Sequence, residues 1–279
     1  MASSCVAAYL VDTSPENSSL GSILTNSATM IGLAIGVFVS GFFVELNESM
    51  ASHIFIILIF VLIVCAILIY LGRESVEKKS GAIKSLKPQI LVPNNVKRFL
   101  IPSSCIFIGT WAIGGFYQAF SSSMAVEQFG ISNKILAATI FACLMAPQII
   151  GSSLIDKFNV KKAQNIGMLG TVLSMVIITI SLKFSFVFIF LIFSIIAAIC
   201  IGLCFTASLN NLVSRVLTQE RAGLLSSVYL ISYGGTAIVN LFVGFIANNF
   251  SLLQLSCGYS ILVIILYILM FFTSKNLDY

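Results

Sequence analysis

An all-α, polytopic membrane protein with about eight transmembrane helices is the fold class this chain predicts, on three observations. Its 279 residues are 58% hydrophobic and only 9% charged, whereas a soluble domain carries about 25% charged side chains. The apolar residues gather into eight runs, each of a length that crosses a bilayer, which takes ~20 residues at 1.5 Å rise. Lysine and arginine crowd into alternate loops between those runs, as retention of basic loops on one side requires.

The first run, 20–44, follows a short polar turn and stops at Glu45. The second, 53–72, is almost unbroken Ile, Leu, Val and Phe. The third, 99–121, starts behind Lys97-Arg98, and the fourth, 135–155, is framed by Lys134 and Asp156. The fifth and sixth, 164–182 and 184–208, touch. One helix of their joint length would measure about 65 Å, twice the hydrocarbon core, so the chain must turn back near Lys183. The seventh, 223–247, follows Glu220-Arg221, and the eighth, 252–273, ends before Lys275.

Thirteen of the 15 basic residues fall on one side: Arg73, Lys78, Lys79, Lys84, Lys87, Lys97 and Arg98 in the loop 73–98, Lys157, Lys161 and Lys162 in the turn 156–163, Arg215 and Arg221 in the turn 215–222, and Lys275 in the tail. The opposite loops hold only Lys134 and Lys183, beside Glu45, Glu48 and Glu127. Both termini are therefore expected in the cytoplasm of a multi-pass protein of the inner (plasma) membrane. The net charge of +5 is topological, and no nucleic-acid partner is expected; the lipid bilayer is.

All seven cysteines (Cys5, Cys65, Cys105, Cys143, Cys200, Cys204, Cys257) lie in apolar stretches and read as packing residues. Cys200 and Cys204 are one turn apart, but no His or carboxylate is near them in sequence, so no metal is expected. The single histidine, His53, sits at a helix end, and neither GxSxG nor HExxH occurs. An enzyme is not expected, nor a cofactor, and no catalytic residue is nominated.

The Lys- and Ser-rich segment 73–98, with Pro88 and Pro93, is the one linker, and it separates two runs from six. An internal repeat spans it. Gly32 followed by Gly41-Phe42 matches Gly235 followed by Gly244-Phe245, at an offset of 203 residues for both pairs. Upstream of each pair stand a Glu (Glu16, Glu220) and a Gly (Gly21, Gly223). An offset of six runs makes 1–72 the remnant of an N-terminal six-helix half and 99–279 a complete C-terminal half.

Three stretches then resemble the major facilitator superfamily. Gly32-Leu33-Ala34-Ile35-Gly36-Val37-Phe38-Val39-Ser40-Gly41 is similar to the antiporter motif GxxxGPxxGG of that family's fifth helix, with Val37 for Pro and Ser40 for Gly. The turn Ser152-x-Leu154-x-Asp156-Lys157-Phe158-Asn159-Val160-Lys161-Lys162 is similar to the family's GxLxDRxGRR in its second-half copy, with Ser152 and Asn159 for glycines. Leu209-Asn210-Asn211-Leu212 and Glu220 to Gly235 resemble the tenth-to-eleventh helix region of exporter-like members. The resemblance implies a secondary transporter of small organic compounds, rocking about a central cavity, with protons as coupling ion and export as direction. It also implies that residues 1–11 are the tail of the family's fourth helix. They reach only ~16 Å, and with no basic n-region there is no signal peptide, so Met1 is expected to be an internal start of a truncated member.

None of the eight runs holds an ionisable residue securely in its interior, His53 being at the edge of its run, so no proton carrier can be nominated; Asp12 and Asp156 are at run ends. Trp111, Tyr117 and Gln118, around Gly114-Gly115, are the expected substrate-cavity residues, the alternative being helix packing. Asn210 and Asn211 are further cavity candidates, with interhelical hydrogen bonding as the alternative. Asp156, Lys157 and Lys161 are expected to gate the cytoplasmic side, or else to form a plain topogenic turn. Gly32, Gly36 and Gly41 are expected on one helix-contact stripe, with Gly235 and Gly244 as their counterparts. A transport-inactive membrane remnant is the alternative reading of the whole chain.

Overall fold

The structure, a computed structural model, describes residues 6–7, 9–11, 13–14, 19–47, 51–71, 92–275 and 277. Residues 6–7 and 9–11 are helical. From residue 20 on, the α-helices are α1 Leu20–Leu46, α2 Ala51–Leu71, α3 Lys97–Ser123, α4 Lys134–Met145, α5 Gln148–Ser153, α6 Val160–Lys183, α7 Val187–Val213, α8 Thr218–Ile246 and α9 Leu252–Ser274, and there is no strand among the described residues. Among the described residues, eight stretches are long and apolar enough to cross a membrane, α4 and α5 together making one of them. Each lies on an expected run. Of the expected linker, 73–91 falls outside the described residues, as do Asp12, Glu16 and Glu48.

Local chemistry sets the helix ends. Asn133 Oδ1 accepts from Leu136 N at 2.9 Å to start α4, and Asn159 Oδ1 accepts from Lys162 N at 3.0 Å to start α6. Ser251 and Gln254 close a reciprocal capping box at α9. Pro147 has no amide hydrogen to continue the helix and separates α4 from α5. Between α6 and α7 the chain reverses through Ser185, whose φ is 54°. Gln128 Nε2 ties that hairpin down by donating to Leu182 O at 2.7 Å. The turn expected near Lys183 is thus present.

Helices α6 and α7 form the tightest hairpin, α5 and α4 pack on α7, and α3 is central, touching α4, α7, α8 and α9. Helix α1 lies against α4, α5 and α7, while α2 packs on α1. None of the described side chains of α2 is buried. Its exposed Phe55, Ile56, Leu58, Ile59 and Phe60 are at home only in a lipid solvent. Contacts between helix ends sort them onto two faces. Glu45, ending α1, accepts from Asn133 Nδ2 at 2.9 Å and from Lys134 N at 2.7 Å. On the other, basic face, Lys161 Nζ donates to Lys275 O at 3.0 Å and the Arg215 guanidinium sits 3.9 Å from the Phe99 ring centroid.

The expected glycine stripe is corrected. A Cβ on Gly41 would stand 3.1 Å from Ala138 Cβ, so α1 meets α4 there, but a Cβ on Gly32 or Gly36 would meet nothing within 4 Å. Gly32 and Gly41 are nine residues apart, which at ~100° per residue puts them on opposite sides of the helix. In the repeat copy the pattern inverts: Gly235 packs on Ile108 of α3, and Gly244 is open. The closest backbone approaches involve other glycines, Gly151 against Ile199 O and Gly202 against Gln148 O, which join α5 to α7.

Candidate functional site

Between α1 and the α3–α8 wall lies a cavity of about 290 Å³. Helix α3 supplies Thr110, Trp111, Gly114, Gly115 and Gln118; α1 supplies Asn26, Met30 and Leu33; α8 supplies Tyr233, Thr236, Ala237 and Asn240. Phe141, Met145 and Gln148, on either side of the Pro147 break, and Ile201 and Phe205 of α7 complete the wall. Each helix contributes at three- or four-residue spacing, which lays its residues along one face. The Trp111 and Tyr233 rings meet edge to face with centroids 4.6 Å apart, and Tyr229 stacks on Tyr233 at 5.8 Å. Asn240 Oδ1 accepts from Tyr259 OH at 2.8 Å. Gln148 Nε2 donates to Leu144 O at 3.0 Å. The Thr236 hydroxyl is buried and has no hydrogen-bond partner among the described residues. None of the described lining residues is Asp, Glu, Lys, Arg or His.

Trp111 and Gln118 stand together on the cavity wall, seven residues and two turns apart. Tyr117, six residues from Trp111, turns away: it is fully buried, its hydroxyl lies 2.6 Å from Ser194 Oγ, and its ring stacks on Phe190 at 5.8 Å. Asn210 and Asn211 also lie off this cavity. Asn210 faces the basic side, beside Asp156 and Lys161 in a surface pocket, and accepts from Ser22 Oγ at 3.2 Å. Asn211 is buried and accepts from Arg215 Nε at 3.0 Å.

A polar layer separates the cavity from the basic face. Asn26 Nδ2 donates to Ser152 Oγ at 3.0 Å, and Thr206 Oγ1 donates to the same oxygen at 2.8 Å. Ser22 reaches Asn210, and Ser19 Oγ donates to Asp156 Oδ2 at 2.8 Å. Asp156 thereby places its carboxylate at the N-terminal end of α1, where the helix dipole favours a negative charge. Lys157 is exposed and Lys161 is held by Lys275 O. Three contacts thus join α1 to α5, α7 and the turn before α6. At about 0.6 kcal/mol for an interhelical hydrogen bond in a membrane protein, they amount to about 2 kcal/mol.

Sequence reasoning missed Asn26, Tyr233, Thr236 and Asn240. The signal was spacing: Ser19, Ser22 and Asn26, and likewise Tyr233, Thr236 and Asn240, each step by three and then four residues, though other Ser and Thr of the same helices blur it. Among the described residues no group of three or more His, Cys, Asp or Glu gathers that could hold a metal ion.

The family model described as Major Facilitator Superfamily matches residues 1–239. No curated protein matches the chain, and no solved structure does.

Proposed function

The chain belongs to the major facilitator superfamily, a family of membrane transporters, and on that premise we propose that it carries small organic compounds by secondary active transport, its cavity opening to each side in turn. The observation that carries this reading is the placement of the cavity. It lies between α1, from the first side of the repeat, and the wall of the second, with a weak polar layer on one side of it. A ligand must contribute ~5.5 kcal/mol of differential binding to take a two-state equilibrium from 1:99 to 99:1. A layer of about 2 kcal/mol is within that reach.

Export, protons as coupling ion, an inner (plasma) membrane location with cytoplasmic termini, and the division into 1–72, 73–98 and 99–279 go with this reading. The exporter-like motifs and the basic asymmetry of the loops support them. The described cavity wall holds no carboxylate, so the proton site belongs elsewhere in this reading. Proteoliposomes containing the purified chain test it, using a panel of small aromatic compounds and an imposed pH gradient. Gradient-driven flux that Trp111→Ala abolishes is the expected result. Flux that ignores the gradient, or none across the panel, would contradict it.

The second reading, a transport-inactive membrane remnant, is favoured by the open faces of α1 and α8. Gly32 and Gly244 face open space although their repeat counterparts, Gly235 and Gly41, are packed. The same experiment separates the two, because a remnant gives no flux.

A further inference from the structure

The described lining of the cavity offers both senses of hydrogen bond and no charged side chain. Asn240 has its oxygen engaged by Tyr259, which leaves its Nδ2 as a donor. Gln148 has its Nε2 engaged by Leu144 O, which leaves its Oε1 as an acceptor. Gln118 is exposed and can do either. Against these stands the Trp111–Tyr233 ring pair, a platform for a flat apolar body, with Met30 and Met145 as adaptable apolar wall.

A cation in this cavity would find aromatic faces but no carboxylate, and a carboxylate ligand would find amides but no Arg or Lys, among the described lining residues. Losing the hydration of an unpaired charge costs more than an aromatic face or one amide returns. An uncharged molecule with a donor and an acceptor meets no such penalty, because it can pair with the amides of Gln118, Gln148 and Asn240. Resting on the transport reading for its location, we infer that the ligand class of this cavity is the uncharged, planar, amide-like aromatic compound, and that organic cations and carboxylates are discriminated against.

Trp111 is the chain's single tryptophan, so its fluorescence reports on this cavity and on the small pocket beside it that Thr25, Thr29 and Tyr229 also line. Three probes share a quenching nitrobenzene ring: 4-nitrobenzamide is neutral, 4-nitrobenzoate an anion and 4-nitrobenzyltrimethylammonium a cation. Titrated into the purified chain in detergent, the neutral probe is expected to quench saturably, with a Kd at least tenfold below that of either ion. Gln118→Leu should weaken it about fivefold, and Gln118→Asn, which keeps the amide, should weaken it less. A charged probe binding within tenfold of the amide, no saturation with any probe, or a Kd that Gln118→Leu leaves unmoved would overturn the inference. Binding is read at equilibrium without a gradient. Saturable neutral-probe binding with no flux in proteoliposomes would therefore uphold the inference and remove the transport reading, while gradient-driven flux of the cation would do the reverse.

Discussion

Single residues in this chain are decided by angular position more than by type. Trp111, Tyr117 and Gln118 looked alike as cavity candidates, yet the seventh-residue pair shares the cavity and Tyr117 packs on Phe190. A residue list carries no angle until a helix face is fixed, and that face is fixed by tertiary contacts a single sequence does not display. The glycines make the same point. Gly41→Leu should cost about 1–3 kcal/mol by overpacking against Ala138, whereas Gly36→Leu, with open space at its Cβ, should be near neutral. Folded yield and thermal midpoint in mild detergent compare them, and equal loss would remove the α1–α4 contact from the account. Ser185 is a second test at this scale. Its positive φ disfavours any side chain, so Ser185→Gly should stabilise the α6–α7 hairpin by about 0.5–1 kcal/mol, read as a raised midpoint; a lowered one would contradict it.

Among the elements, the number of spans and the reversal near Lys183 were legible because hydrophobic length against bilayer thickness is a strong constraint. The basic side's polar layer was not. Its parts, Ser19, Ser22 and Asn26 on α1 and Ser152 and Thr206 across from them, are small neutral residues that membrane helices also use for ordinary packing. Only their convergence gives them a role. Asn26→Leu removes the central contact without opening a cavity of its own. It should weaken the α1 interface by about 0.6 kcal/mol, with ~1.7 kcal/mol as the upper end for such bonds. Faster proteolysis of the basic face at unchanged helicity would register that change. No change in susceptibility would mean the layer holds nothing closed.

At the scale of the whole molecule, the up-and-down course of the helices agrees with the alternation of basic loops, since the contacts of Glu45 with Asn133 and Lys134 and those of Lys161 and Arg215 fall on opposite faces. In the reading proposed above, the positive-inside rule puts the basic face in the cytoplasm. On a cysteine-free background, Gln219→Cys should resist a membrane-impermeant thiol reagent added to sealed cells, and Asn249→Cys should react; the reverse would invert the topology. The repeat at 203 residues was legible as glycine spacing, but its inverted packing, in which each copy buries the position the other leaves open, needed coordinates. Alternating exposure of the cavity between α1 and the α3–α8 wall is the central claim, and side-specific labelling of Gln118→Cys in sealed right-side-out and inside-out vesicles measures it directly. The expected result is reaction from both sides, with Asp156→Asn, which loosens the contact to Ser19, increasing the rate from the basic side at the expense of the other. Reaction from one side only, at a rate that Asp156→Asn leaves unchanged, would contradict it.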